Sequence, residues 1–255
     1  MNSKHTYFIE NNISSAFLNN EHDIKLWYCT ISSIIETLFD IEKNPQFAED
    51  YNIIRNQTIE KHDFLIPYLS ENELKILNNF KSFKKQIEWL SGRFLLKNCL
   101  SLFLKNIDKL ANIKIVYGKE GAPFLPDFPD IKVSLSHSGD YAAVGICTKK
   151  NIDIGIDLEQ FRKKPDKNFL KTAFTQDEIA SMDDNIEDIL TKWTIKEAFL
   201  KYIKKGFNES LHKVEVIGKR VLYNQKEVKV SIFSEIINKS YVLSLIAGKA
   251  INLPY

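Results

Sequence analysis

Two stretches of this chain are written twice, and the repetition limits what the whole can fold into. Leu69-Ser70-Glu71-Asn72-Glu73-Leu74 resembles Phe174-Thr175-Gln176-Asp177-Glu178-Ile179, with Glu73 and Glu178 standing 105 positions apart. Trp89-Leu90-Ser91-Gly92-Arg93-Phe94-Leu95-Leu96-Lys97 resembles Trp193-Thr194-Ile195-Lys196-Glu197-Ala198-Phe199-Leu200-Lys201, with the tryptophans 104 apart. Two landmarks at nearly one offset are hard to obtain by chance. They predict an α+β chain of two pseudo-symmetric α/β halves, a pseudo-dimer in which each half is a small, mainly antiparallel sheet packed with a long helix. The expected halves are residues 1–118 and 119–255.

The local patterns fill in these halves. Residues 6–10 and 24–33 read as strands, rich in aromatic and β-branched residues. Ser70 with Glu73 and Thr175 with Glu178 are capping boxes, each opening a helix. A longer helix is expected over 82–104, with Ile87, Leu90, Phe94, Leu95 and Cys99 at helical spacing, and another over 186–204. Between them 112–117, 133–140, 141–148 and 152–158 read as strands, and a short helix follows at 167–173. Beyond Gly206 the chain alternates in short strands (213–217, 220–222, 227–234, 241–247) as an antiparallel meander.

Charge is concentrated in two of these elements. Asp157 and Glu159 are two apart, so on a strand both carboxylates take one face while Ile156 and Leu158 take the other. Glu197 and Lys201 are four apart and stack on one helical stripe. Three carboxylates and one ammonium can converge, which is the donor set of a Mg²⁺ site with positions left for water and phosphates. Acids ending a strand and an exposed helical pair would explain the same spacing without any site. In the repeat Arg93 stands where Glu197 stands, so a site at the junction of the halves would meet a cation from one side and phosphates from the other.

Composition excludes some partners. Lys and Arg number 35 against 33 Asp and Glu, so net charge argues for neither nucleic acid nor a membrane surface. No basic stripe with interleaved aromatics appears beyond 81–85 and 201–205. Cys29, Cys99 and Cys147 are scattered in apolar runs, as small core residues in a reducing compartment rather than as disulfides or metal ligands. Neither a signal core nor an eighteen-residue apolar run is present, and the expected location is cytoplasmic.

Gly155-Ile156-Asp157-Leu158-Glu159, followed by Trp193-x-x-Lys196-Glu197-Ala198-x-x-Lys201, resembles the paired signature of the 4′-phosphopantetheinyl transferases, of the large monomeric, surfactin-synthetase-activating type. Ser134-Leu135-Ser136-His137-Ser138-Gly139 is similar to that family's Ser-His-Ser turn. Phe174-Thr175-x-x-Glu178 is similar to its Phe-x-x-x-Glu helix start, and Lys84-Lys85-Gln86-x-Glu88-Trp89-Leu90-Ser91-Gly92-Arg93 to a helix of its N-terminal half. The motifs cover about residues 65–210 in the right order.

The resemblance implies transfer of the phosphopantetheine arm of coenzyme A to a serine of an apo acyl or peptidyl carrier protein, with adenosine 3′,5′-bisphosphate released. It implies Asp157, Glu159 and Glu197 as Mg²⁺ ligands, Lys201 on the developing phosphate charge, and Glu159 taking the serine proton directly or through a water. Ser136, His137, Lys85, Arg93 and Lys196 would contact coenzyme A, and Trp193 would be core with no chemical role. Glu178 would either cap its helix or support the site. Where the family has lysine in its Gly-Lys-Pro turn, this chain has Ala122, with Lys119 three residues earlier, and Lys85 replaces a usual arginine, losing bidentate geometry. The implied protein is a monomer without nucleic-acid or membrane partners. The competing readings are a non-catalytic coenzyme A or carrier-binding module and a Mg²⁺-dependent diphosphate hydrolase.

Overall fold

Ser70 and Thr175 each precede a glutamate by three residues, and both open a helix in the computed structural model, which describes residues 12–19, 23–39, 65–104, 107–206 and 209–251. In chain order the elements are β1 (Ser14–Asn19), β2 (Ile24–Thr30), α1 (Ile31–Phe39), α2 (Glu71–Asn79), α3 (Phe83–Leu100), β3 (Val116–Tyr117), β4 (Pro123–Phe124), β5 (Lys132–Ser138), β6 (Tyr141–Cys147), β7 (Ile152–Gln160), α4 (Lys167–Ala173), α5 (Gln176–Ala180), α6 (Ile186–Tyr202), β8 (Val214–Ile217), β9 (Arg220–Tyr223), β10 (Lys226–Val228), β11 (Ser231–Ile237) and β12 (Tyr241–Lys249). The sheets have the orders β1-β2-β6-β5, β11-β12-β7 and β10-β9-β8, and β3 pairs with β4. The fold is mixed α+β, as expected.

Several expected elements differ in extent, and one lies outside the described residues, the strand at 6–10. The strand expected over 112–117 is reduced to Val116–Tyr117, behind a 3₁₀ turn at Leu110–Asn112, and the one expected over 227–234 is broken into Lys226–Val228 and Ser231–Ile237. The strand expected over 24–33 stops at Thr30, whose hydroxyl accepts the Ser33 N–H at 3.2 Å and so caps α1. The C-terminal meander is real, but its strands divide between two sheets.

The chain forms two compact units, one of residues 1–15, 27–114 and 140–142, the other of 16–26, 115–139 and 143–255. In the first, the capping-box Glu73 is buried and accepts from Lys97 at 2.6 Å, while Lys97 also donates to the Tyr68 carbonyl. In the second, capping-box Glu178 accepts from Lys196 at 2.7 Å, from the Thr175 N–H at 2.9 Å and from the Val216 N–H at 2.8 Å. Both side chains of the Glu178–Lys196 pair are fully buried. One device thus recurs in the two units, but from different turns of the helix, since the sequence repeat aligns Lys97 with Lys201 and not with Lys196.

All three cysteines are buried free thiols, as expected of core residues, and burial raises their pKa values. No described helix is long and apolar enough to cross a membrane.

The second unit is built on α6 lying against β7 and β12. Ile195, Ala198, Phe199 and Tyr202 pack with Val214, Val216, Val221 and Ile246 into one buried cluster. Gly155 sets the helix-to-strand distance, because a Cβ there would meet the Ala198 carbonyl oxygen at 2.0 Å and the Tyr202 nitrogen at 2.4 Å. Both obstacles are backbone and cannot swing aside. Gly155→Ala is therefore expected to destabilise the protein by about 3 kcal/mol, the upper end for forced overpacking, read as a lowered denaturant midpoint. Lys196→Met leaves a charged Glu178 buried without its cation and should cost about 3–5 kcal/mol, much of it recovered in the Lys196→Met/Glu178→Leu double variant.

Candidate active site

Strand alternation places Gly155, Asp157 and Glu159 on one face of β7, and the close approach at Gly155 identifies that face as the one toward α6. From α6 the residues Trp193, Glu197 and Lys201, each four apart, make one stripe. Lys201 Nζ donates to Asp157 Oδ1 at 2.8 Å, to Ser136 Oγ at 3.1 Å and to the Leu135 carbonyl at 3.4 Å. One member of each predicted pair thus makes direct contact with the other, Lys201 with Asp157.

Strand β5 runs beside β7 through an unusual seam. The hydroxyls of Ser134, Ser136 and Ser138 accept the backbone N–H groups of Ile156, Leu158 and Gln160 at 3.0, 3.2 and 3.2 Å. Both series rise in steps of two, so the strands run parallel. Each hydroxyl stands where a strand carbonyl would, and a hydroxyl also has a proton to give. Ser136 gives its proton to Asp157 Oδ1 at 2.9 Å, and Ser138 gives its own to Glu159 Oε2 at 3.0 Å. The seam joins two sheets and orients two carboxylates at once.

Burial raises the pKa of Glu197 to about 7, and the nearby Asp157 charge adds to this. Burial and then Asp157 raise Glu159 as well, opposed by hydrogen bonds from Ser138 and from Trp193 and by the charge of Lys201. Asp157 Oδ2 and Glu197 Oε1 are buried without a hydrogen-bond partner among the described residues. Buried carboxylate oxygens left bare are costly, and a hard divalent cation is the species that such oxygens suit. In the present rotamers no three carboxylate, imidazole or thiol groups among the described residues stand close enough to enclose an ion. Two of the acids nonetheless feel the charges of the others, which puts all three in one patch, and Lys201 supplies the positive charge that draws Asp157 Oδ1.

Other residues singled out in the sequence fall elsewhere. Lys196, expected on a phosphate, is sealed in the core against Glu178, with its ammonium 5.0 Å from the centre of the Phe174 ring. Ser136, also expected on a phosphate, is buried with its one proton committed to Asp157 and its acceptor sites taken by Leu158 and Lys201. His137 is exposed on β5 between these serines. Lys85 is exposed on α3 of the first unit, and Arg93 on the same helix is buried 4.9 Å over the Trp89 ring, one turn away.

Trp193 is the packing residue its sequence context suggests. It packs edge-on against Phe169 and Phe174, and its indole lies near enough to Glu159 to favour the charged carboxylate. A further chain of hydroxyls escaped notice in the sequence. Thr194 donates to the Thr191 carbonyl at 3.0 Å, so Ser244 donates to Thr194 at 2.7 Å and Ser234 to Ser244 at 2.8 Å. Ser244 is the cross-strand partner of Asp157, so this chain ties α6 to β12 beside the carboxylates. The visible signal for the seam was the period-two Ser134-x-Ser136-x-Ser138.

Comparison with known proteins gives this arrangement a family context. The 4′-phosphopantetheinyl transferase superfamily model matches residues 153–246, which include Asp157, Glu159, Glu197 and Lys201. The holo-[acyl-carrier-protein] synthase of Mycoplasma capricolum is 32% identical over 108 residues, covering 39% of this chain and 90% of its own. A putative 4′-phosphopantetheinyl transferase of Synechocystis is 32% identical over 124 residues, covering 44% of this chain and 49% of its own, so the match spans about half of that relative. The 4′-phosphopantetheinyl transferase Sfp of Bacillus subtilis is 26% identical over 163 residues, 62% of this chain and 70% of its own.

The charge balance gives a direct test. Glu197 prefers to be protonated in the folded state, so its favourable contribution is intact below the ordinary carboxylate value of 4.5 and is lost as pH rises through about 7. Glu197→Gln should raise the unfolding free energy of the metal-free protein by about 3 kcal/mol at pH 8 and by almost nothing at pH 4, measured by chemical denaturation.

Proposed function

The chain belongs to the 4′-phosphopantetheinyl transferase superfamily, and on that premise we propose that it transfers the 4′-phosphopantetheine group of coenzyme A to a serine hydroxyl of an apo acyl or peptidyl carrier protein. The observation that carries the reading is the pair of bare buried oxygens, Asp157 Oδ2 and Glu197 Oε1, beside a lysine already engaged with Asp157. A family membership alone would be met by any descendant of the fold. Retained acids whose charge is left unbalanced are what a cation-dependent phosphoryl chemistry requires.

In this reading Asp157, Glu159 and Glu197 hold Mg²⁺. The ion supplies charge neutralisation on the coenzyme A pyrophosphate. Lys201 adds a second positive charge on the same side, where negative charge grows as the phosphate bridge breaks. The carrier serine oxygen forms a bond to the β-phosphorus, the bond from that phosphorus to the bridging oxygen breaks, and adenosine 3′,5′-bisphosphate leaves with the electron pair. Glu159 takes the serine proton, directly or through a water. Its pKa, raised by burial and by Asp157, makes it a better base than an exposed carboxylate. Ser138 holds it in place while it does so. His137, exposed on β5, remains a candidate for the nucleotide phosphates. Lys196 and Ser136 drop out of that set, being committed to Glu178 and Asp157. The same reading has the protein acting as a cytoplasmic monomer.

Intact-mass measurement of an apo carrier protein incubated with this protein, coenzyme A and Mg²⁺ tests it. The carrier should gain the mass of one phosphopantetheine group, the gain should vanish with Glu197→Gln, and Lys201→Met should lower kcat about 10²- to 10³-fold. Coenzyme A binding without any gain on acyl or peptidyl carriers overturns the transferase reading in favour of a binding module. Coenzyme A cleavage in the absence of a carrier overturns it in favour of a hydrolase. Independently of turnover, millimolar Mg²⁺ should raise the melting temperature of the wild type at pH 8 and leave Glu197→Gln unchanged.

A further inference from the structure

A second concave surface lies in the same unit, at the far end of β7 from the carboxylates. Its volume is about 480 Å³, and it is formed by the start of β7, the β8–β9 turn, β9, β10, the first residues of β11 and the end of β12. The register pairs Ile152 with Lys249 and Asp157 with Ser244, so the groove stands five ladder positions from the acidic patch, about 17 Å along the strand.

Its lining is amphiphilic. Val221, which is fully buried, and Ala247 belong to an apolar floor with Val228 and Val230. Gly248 keeps that floor tight, since a Cβ there would come within 3.0 Å of Val230 Cγ1 and of the Tyr202 hydroxyl. Around it stand Lys219, Arg220, Lys229 and Lys249, with Glu227 as the one acid of the lining. Arg220 answers Glu227 at 3.7 Å. The three lysines have no ion-pair partner among the described residues. Like charges gathered round a concavity without counter-charge raise the local potential for an anion. Lysines attract such an anion as point charges and need no planar, bidentate geometry to hold it.

We propose that this groove is a binding site for a small amphiphilic anion, a carboxylate or phosphate carried on an apolar body. The volume suits a ligand of that class, with the body on the valine floor and the head among Lys219, Lys229 and Lys249. The site is independent of the acidic patch and of any transfer reaction there.

Amide chemical-shift titration of the full chain with decanoate, beside inorganic phosphate alone, locates the site directly. Decanoate should shift the amides of 219–231 and 247–249 saturably and leave those of 155–159 and 193–201 in place. Lys229→Glu/Lys249→Glu should weaken that binding at least about tenfold, and Lys229→Met/Lys249→Met should weaken it less, with melting temperatures close to wild type because these lysines are exposed. Absence of saturable shifts at these amides, or equal binding by the charge-reversed variant, overturns the proposal. Phosphate alone producing the same shifts with the same affinity overturns the apolar half of it.

Discussion

The contact between the backbone of β7 at Gly155 and the backbone of α6 at Ala198 and Tyr202 governs the second unit. A helix normally stands off a strand by the width of the side chains between them. Here one position has no side chain, and α6 settles onto the strand. Only at that separation does Lys201, with a stem of four methylenes, fold back to Asp157 and Ser136. The hydroxyl chain from Ser234 through Ser244 to Thr194 then fixes the helix along its axis. The glycine sets a distance, and the polar contacts set a register.

That geometry concentrates negative charge. Asp157, Glu159 and Glu197 face Lys201, so the patch is acidic by formal charge, and the raised pKa values of the two glutamates are the electrostatic expression of the imbalance. A protein selected for stability alone would neutralise such a cluster or expose it. The seam of serines on β5 works in the opposite direction, by spending two hydroxyl protons on the acids it lies beside. The protons hold Asp157 and Glu159 in orientation but carry no net charge, so the demand for a cation persists. This is the physical content of the functional reading, and it does not depend on any one relative.

Much of this was legible in the residues themselves. The period-two acids, the four-residue spacing of Glu197 and Lys201 and the two capping boxes each state a local geometry, and each geometry is present. What the sequence hid were contacts between segments distant along the chain. Ser136 reads as a turn residue offered to a phosphate, because nothing local says that its proton goes to a strand twenty-one residues later. Thr30 ended its strand early because a hydroxyl that caps a helix outweighs β propensity in the residues that follow.

The two lysines of α6 show most sharply where spacing stops being informative. Lys196 and Lys201 lie in one motif and have one chemistry, yet five residues on a helix turn through about 140° beyond a full revolution, so they leave from nearly opposite sides. An exposed helix would make both of them surface groups. α6 is instead buried on two sides, against β7 and β12 on one and against the cluster of β8 and β9 on the other. Lys196 therefore enters the core and survives there only because Glu178, already fixed by its own helix start and by the Val216 N–H, is waiting as counter-ion. Lys201 emerges at the acidic patch with part of its side chain in solvent. Each lysine locks the rotation of the helix from its own side, and it is that double lock that points Glu197 at Asp157 and not at the core.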